Sequence, residues 1–221
     1  MRNTLLITLI LFVLSLSASA LAATRVPNFK LEGVDGKTYE LKEVAGNNKL
    51  VLIDFWEVSC KPCKKLMPHL QSLYDIYKPA GFQLIVISRD TSLTMTKVKP
   101  YVAAEKWTFP VLYDPDQVTS KAYQVKFSPV TFLINSKGEI LFQHSGFKPG
   151  DEKEYEKSII AALELSEEDV AKLYSDAGKT KDAVAEEAAG EATPAEETAA
   201  EEEDGEAPPA EEATPPPAEG E

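Results

Sequence analysis

Residues 50–65 read LVLIDFWEVSCKPCKK, and most of the fold can be inferred outward from them. The first half is a nearly continuous apolar run, which is typical of a central β-strand covered on both faces. The second half holds Cys60 and Cys63, the only cysteines of the chain, where a helix is expected to begin. A helix N-terminus stabilises a thiolate, and a second sulfur one turn later lies on the same helix face. The segment therefore predicts a thiol redox site.

Other roles for a Cys-X-X-Cys pair fit this chain less well. A permanent structural disulfide that closes a four-residue loop would add only roughly 2 kcal/mol to the free energy of unfolding in the chain-entropy model. Haem attachment requires a histidine after the second cysteine, and this chain has Lys64 there. A structural zinc site needs four ligands, and His69 and His144 are not in a ligand-like spacing. We therefore expect no metal, and no cofactor other than the Cys60–Cys63 disulfide itself.

The first 23 residues have the pattern of a secretory signal peptide. Arg2 precedes an apolar run over residues 5–16, and Ala20-Leu21-Ala22 matches the small-residue cleavage pattern. The alternative is an uncleaved membrane anchor, although the run is barely long enough to span a bilayer. Both readings predict an extracytoplasmic, periplasmic protein, a location in which disulfides persist.

Charge separates the folded part of the chain from its C-terminal end. The net charge is −13, and residues 183–221 carry fourteen acidic side chains and no basic one. Residues 24–182 carry 22 acidic and 22 basic side chains, so they lack the concentrated basic patch of a nucleic-acid-binding protein. The Ala/Glu/Pro-rich composition of residues 183–221 predicts a disordered tail. It could serve solubility or contact a basic surface.

Residues 24–165 have the pattern of one α/β domain, followed by a short helix over residues 166–182. Apolar runs and turn signals predict strands at 26–31, 38–41, 49–56, 82–88, 108–113, 130–134 and 139–144. Helical spacing predicts helices from 60 to about 79, between 93 and 106, at 117–123 and at 152–163. Pro100 is expected to end or kink the second of these helices. This order favours a mixed sheet flanked by helices.

Three separated motifs resemble the TlpA/ResA type of extracytoplasmic thiol-disulfide oxidoreductases. They are the strand and Cys-Lys-Pro-Cys segment with Pro68 after it, the hairpin at 26–41 with a strand–helix unit at about 82–113, and the late strand PVTFLI at 129–134. The resemblance spans residues 26–163. It implies a thioredoxin fold with an N-terminal hairpin and a central strand–helix insertion, and it implies protein thiols or disulfides as substrates.

The resemblance also implies roles for individual residues. Cys60 would be the nucleophile that forms a mixed disulfide, and Cys63 the thiol that resolves it. Pro129 would have a cis peptide bond facing the disulfide, and the alternative is an ordinary trans proline that starts a strand. Ser128 would offer its backbone to an extended substrate. Trp56 could border the disulfide and contact the substrate, although an aromatic residue at this place is more often part of the core or its rim.

Asp54 is an acidic residue inside an apolar strand. Burial should raise the pKa of its carboxyl group. It matches the position at which thioredoxins have a carboxylate behind the second cysteine, where it accepts the proton of that thiol. The alternative is a carboxylate paired with a lysine such as Lys78.

Two prolines belong to the same segment. Pro62 fits the first turn of the helix, where its missing N–H would have no partner anyway. Pro68 is expected to kink the helix.

The chain departs from the resembled pattern at two positions. Ser59 stands where many relatives have tryptophan, and Leu66 where ResA-like proteins often have a glutamate. No histidine lies between the cysteines, so we expect a moderately acidic Cys60 and a reducing pair. The expected function is reduction of protein disulfides, for example in cytochrome c maturation, by a monomer supplied from a membrane electron donor. A disulfide-forming oxidase or isomerase, or a binding module without turnover, remains open.

Overall fold

A computed structural model describes residues 24–190. The predicted signal peptide and residues 191–221 of the predicted tail lie outside the described residues. The chain divides by its contacts into Met1–Asp182 and Ala183–Glu221. In the second unit, the described residues form the end of the last helix.

A mixed five-stranded sheet forms the centre of the first unit, as predicted. Its strands, in spatial order, are β5 (Val111–Tyr113), β4 (Phe82–Ser88), β3 (Leu50–Trp56), β6 (Val130–Asn135) and β7 (Ile140–Ser145). The middle strand β3 runs parallel to β4 and antiparallel to β6. All seven residues of β3 are buried, because the strand is covered on both faces.

The predicted N-terminal hairpin is also present. Strands β1 (Lys30–Glu32) and β2 (Thr38–Glu40) pair antiparallel around a turn in which Gly36 has a positive φ of 77°. The left-handed backbone conformation explains why a glycine follows Asp35 there. The amide of Val34 donates to the carbonyl of Val111 at 2.9 Å, which ties the hairpin to strand β5.

Helices cover both faces of the sheet. They are α1 (Leu41–Asn47), α2 (Lys61–Tyr77), α3 (Val98–Ala104), α4 (Val118–Ala122), α5 (Glu152–Ala162) and α6 (Glu167–Gly190), with 3₁₀ turns at Lys78–Ala80 and Met95–Lys97. Sequence patterns did not predict α1, a short helix whose apolar contribution to the core is Leu41 and Ala45. Two buried residues at i and i+4 give too weak a periodicity to be distinguished from a strand end.

The alternation of β3 assigns its side chains to two apolar clusters. Val51, Ile53 and Phe55 belong to one cluster, while Leu52 and Trp56 belong to the other. Because strand side chains alternate between faces, Asp54 points to the same face as Leu52 and Trp56. That face is covered by residues of α2 and α5, among them Cys63, Leu66 and Tyr155.

Two predicted elements differ from the structure. Pro100 neither ends nor interrupts a helix: it is the third residue of α3, within the first turn, where no intrahelical partner for its missing N–H is required. The C-terminal helix begins as predicted with a capping box between Ser166 and Asp169. It continues to Gly190, eight residues beyond the predicted boundary, because alanine and glutamate favour the helix.

Across residues 24–190, none of the helices combines the length and the apolar character that a membrane span requires.

Truncation of a side chain between β3 and α2 should test the packing of this layer. Leu52 is fully buried there, so Leu52→Ala is expected to lower the free energy of unfolding by about 2–5 kcal/mol. Leu93, with 87% of its surface exposed, provides the matched control. Leu93→Ala should change stability by less than about 0.5 kcal/mol. Equal effects of the two substitutions in chemical denaturation would contradict the assignment of this core.

Candidate redox site

Cys60 and Cys63 are joined by a disulfide at the N-terminus of α2. Their Cα atoms are 5.3 Å apart, and Cys60 is the N-cap residue of the helix. The Cys60 sulfur accepts a hydrogen bond from the backbone N–H of Cys63 at 3.2 Å. Pro62 lies in the first turn as predicted and brings no N–H of its own. The N–H of Cys63 is therefore the donor of the helix N-terminus that reaches the sulfur of Cys60.

The two cysteines differ in their access to solvent. Cys63 is completely buried, whereas Cys60 is partly exposed. Cys60 therefore presents surface to a substrate in the observed position of α2, whereas Cys63 presents none. This asymmetry suits the predicted order of attack, in which Cys60 reacts first.

The Ser128–Pro129 peptide bond is cis, so the alternative of an ordinary trans proline is wrong. The carbonyl oxygen of Ser128 lies 3.6 Å from the Cys60 sulfur. A disulfide sulfur carries no hydrogen, so this approach is a contact in the oxidised protein and can become a hydrogen bond only after reduction. The carbonyl of Pro129 accepts a bond from the N–H of Gly146 at 2.8 Å, which anchors the loop from the other side.

The ion pair of Arg89 with Glu57, which the sequence did not reveal, holds the loop that contains Ser128 and Pro129. Arg89 Nη1 donates to Glu57 Oε1 at 2.9 Å and to Ser128 Oγ at 3.0 Å, and Ser128 Oγ donates to Glu57 Oε1 at 3.2 Å. The Arg89 side chain is 92% buried. Glu57 follows β3, Arg89 follows β4 and Ser128 precedes β6. Polar residues at the carboxyl ends of adjacent parallel strands are the signal that could have pointed to Glu57 and Arg89.

A cleft of about 380 Å³ opens beside this ion pair. Its lining includes Glu57, Ser59, Arg89 and Lys97. Because Ser59 immediately precedes Cys60, the cleft provides polar surface close to the partly exposed Cys60.

Asp54 is completely buried and has one hydrogen-bond partner. It lies opposite Thr131 in the pairing of β3 with β6, and Thr131 Oγ1 donates to Asp54 Oδ1 at 2.8 Å. The other oxygen, Oδ2, has no partner. Burial raises the pKa of Asp54 to about 8, and the hydrogen bond from Thr131 partly opposes that rise. The lysine alternative is wrong, since the ammonium of Lys78 lies over the Tyr74 ring instead.

Trp56 does not border a substrate surface, which corrects the role expected for it. The side chain has no exposed area, so it cannot contact a substrate directly. Its ring centroid lies 4.9 Å from that of Trp107 and 5.6 Å from that of Tyr101. The two partner rings come from the strand–helix insertion, and they cover the indole.

Two remaining positions of α2 complete the site. Pro68 is exposed and lies inside the helix, which continues through it to Tyr77. Leu66 is completely buried in the apolar cluster, so no carboxylate stands at that position. Asp54 is consequently the buried carboxylate on the face of the sheet that α2 covers. Among residues 24–190, no group of histidine, cysteine and acidic side chains is arranged to hold a metal ion.

Comparison with known proteins agrees with this geometry. Residues 22–143 match the model of the AhpC/TSA family. The thiol-disulfide oxidoreductase ResA of Halalkalibacterium halodurans is 36% identical over 128 residues, which cover 58% of this chain and 70% of that protein.

Solved structures give the same assignment. A Chlorobium tepidum protein provisionally assigned as a thiol:disulfide interchange protein DsbE is 33% identical, with a TM-score of 0.59 over 64% of this chain and 96% of the other. An uncharacterised thioredoxin-like protein from Porphyromonas gingivalis is 30% identical, with a TM-score of 0.54 over 63% and 92% of the two chains.

The predicted resemblance and the thioredoxin fold are thus confirmed. This chain belongs to the AhpC/TSA family of thioredoxin-like proteins and, within it, resembles the thiol-disulfide oxidoreductases named ResA.

Proposed function

We propose that this thiol-disulfide oxidoreductase reduces disulfides of protein substrates outside the cytosol. The observation that carries the proposal is the unequal pair at the start of α2: a partly exposed Cys60 beside a cis-proline loop, and a buried Cys63 behind it. A purely structural disulfide would not require one sulfur to be accessible.

The reaction begins with the reduced pair. The thiolate of Cys60 attacks a substrate disulfide, a Cys60–substrate disulfide forms, and the first substrate thiolate leaves and takes up a proton. The substrate chain would lie extended along Ser128, whose carbonyl already lies beside the Cys60 sulfur. Such a pose would favour attack by holding the substrate disulfide near the nucleophile.

Resolution requires the buried thiol to lose its proton. In our proposal, the carboxylate of Asp54 accepts the proton of Cys63, and the resulting thiolate attacks the Cys60 sulfur. The mixed disulfide breaks, the second substrate thiolate leaves, and the Cys60–Cys63 disulfide remains. Two electrons have passed to the substrate, and a dithiol donor must return them.

Stabilisation of the Cys60 thiolate should be moderate. The sulfur receives one backbone N–H from the first turn of α2. No histidine lies between the cysteines to add a positive charge. Because a strongly oxidising pair needs a strongly stabilised reduced form, this environment favours a reductant.

We also propose the cellular setting that the sequence suggests. The signal-like residues 1–23 support export to the periplasm, with the membrane anchor as the alternative form. A membrane electron donor would re-reduce a monomeric protein, and cysteine pairs such as those of cytochrome c maturation would receive the electrons.

A trapping experiment tests the proposed function. Cys63→Ser removes the resolving thiol, so the variant should accumulate a covalent Cys60–substrate disulfide that mass spectrometry can identify. The wild-type protein should reduce insulin, and Cys60→Ser should abolish both reduction and trapping. An unreactive wild-type dithiol would instead indicate a binding module without turnover and would contradict the proposal.

Replacement of the buried carboxyl group should stabilise the fold and slow the resolution of the mixed disulfide. A carboxyl group whose pKa is about 8 when folded, and about 3.9 when unfolded, binds a proton preferentially in the folded state. Its contribution to stability is therefore lost as the pH rises from about 4 to 8. Asp54→Asn should have a larger free energy of unfolding than the wild type, and the gap should widen across this range.

The same substitution should slow resolution of the mixed disulfide by about 100-fold. Stopped-flow measurement of substrate release gives the rate, and urea unfolding at several pH values gives the stability. Resolution at the wild-type rate would remove Asp54 from the mechanism.

Disruption of the Arg89–Glu57 ion pair, which is hydrogen-bonded to Ser128, should weaken substrate binding. Arg89→Gln leaves Glu57 without its cation, so KM for a protein disulfide should rise about fivefold to tenfold with a smaller change in kcat. Arg89→Lys should restore part of the loss, since it keeps the charge without the planar guanidinium. Arg25→Gln, which breaks an exposed Arg–Glu pair, is the matched control. A lower melting temperature with unchanged KM would show that Arg89 serves stability alone.

A further inference from the structure

We propose that Thr131 and Tyr155 are positioning residues that determine which oxygen of Asp54 carries the transferable proton. This inference rests on the proposed role of Asp54 as the proton acceptor in resolution. Neither residue touches the disulfide in our account, and both act through the carboxyl group.

Three buried side chains form the hydrogen-bond chain. Thr131 Oγ1 lies 2.8 Å from Asp54 Oδ1 and 3.2 Å from the hydroxyl oxygen of Tyr155. Asp54 and Thr131 have no exposed surface, and Tyr155 has 1%. The chain connects β3, β6 and α5, so it spans the layer in which the disulfide is anchored.

The hydrogen count gives the chain a direction. A threonine hydroxyl has one hydrogen, and when that hydrogen is donated to Asp54, the Tyr155 hydroxyl must be the donor to Thr131. The opposite direction would require Asp54 to donate to Thr131, which an ionised carboxylate cannot do because it carries no hydrogen.

This direction distinguishes the two oxygens of Asp54. In the ionised state, Oδ1 receives the hydrogen of Thr131, so Oδ2 is the oxygen that is free to take up a proton. Oδ2 is buried and has no other partner. An incoming proton is therefore expected at the oxygen that no neighbouring donor occupies, and Oδ2 is the atom that would exchange it with Cys63.

Titratable groups of the described residues lie on both sides of this hydrogen-bond chain. Cys63 comes from α2 and belongs to the same buried cluster. His144 lies opposite Thr131 on β7, and its ring centroid is 5.4 Å from that of Tyr155. The imidazole Nε2 lies 3.1 Å from Asp151 Oδ2, and Nδ1 lies 3.8 Å from Glu154 Oε2. These acidic groups lie on the Tyr155 side of the chain.

Tyr155 is suited to act as a constant donor. Burial is the main reason that the pKa of its hydroxyl is raised; the hydrogen bond with Thr131 lowers this pKa in part, and the charge of Asp54 raises it further. The hydroxyl therefore keeps its hydrogen throughout the pH range in which Asp54 titrates. A hydrogen bond donated to the charged form of a carboxyl group lowers its pKa. The bond from Thr131 thus lowers the pKa of Asp54 toward neutral pH, so that part of the carboxyl group is ionised there. The hydrogen bond that Tyr155 donates to Thr131 strengthens the bond from Thr131 to Asp54.

The test follows Asp54 itself in the full-length oxidised protein. Carbon NMR of aspartate-labelled protein, with the signal assigned by Asp54→Asn, gives the titration midpoint. Thr131→Val should raise the midpoint by about one pH unit, and Tyr155→Phe should raise it by less. Thr131→Ser should restore the wild-type value. Phe142→Leu alters the packing against the Tyr155 ring without removing a hydroxyl, and it should leave the midpoint in place.

The rate measurement uses the same variants. The pH dependence of mixed-disulfide resolution should shift to higher pH together with the Asp54 midpoint. At a pH below that midpoint, the Thr131→Val variant should therefore resolve the mixed disulfide roughly tenfold more slowly than the wild type. An unchanged midpoint in Thr131→Val and Tyr155→Phe would overturn the inference, whatever the rates. If Thr131→Val does not fold, the comparison of Tyr155→Phe with Phe142→Leu decides it. A shifted midpoint with unshifted resolution would uphold the hydrogen-bond chain and refute the proposed role of Asp54.

Discussion

The burial of one carboxyl group in the central strand constrains the rest of the site. Strand β3 has no exposed residue, so Asp54 needs a buried partner, and the neighbouring strand β6 supplies it as Thr131. Its partner Thr131 faces it only in the observed register of β3 with β6. A slip of one residue would turn Thr131 to the opposite face and leave the carboxyl group with no donor. The hydrogen bond can therefore form only in this strand register, and its loss would disfavour any other register.

That register also brings the reactive groups to one edge of the sheet. Phe55 pairs with Val130, so the cis-proline before Val130 falls at the end of β3, close to Cys60. The parallel neighbour β4 ends at the same edge with Arg89. The segments that carry the nucleophile and the proposed substrate loop are thus joined by the ion pair of Arg89 with Glu57. A loop supported in this way can present a backbone group to a substrate without losing its own position.

Sequence reasoning succeeded where the signal was local or carried by the family resemblance. The central strand, the helix at Cys60 and the hairpin were predicted from short patterns, and the cis state of Pro129 came from the resemblance. The partners of Asp54 and Arg89 could not be predicted, because they are 77 and 39 residues distant in the chain and depend on strand order and register. Trp56 was misassigned for the same reason: the rings that cover it belong to the insertion.

The central claim is that the Cys60–Cys63 pair works as a reductant, and its reduction potential is the most direct test. Equilibration of the purified protein with glutathione at known ratios, read by mass spectrometry after thiol trapping, gives the value. A moderately stabilised thiolate predicts a potential near that of thioredoxin, about −270 mV. A value near about −120 mV, as in the strongly oxidising DsbA, would contradict the account and identify the protein as a disulfide donor.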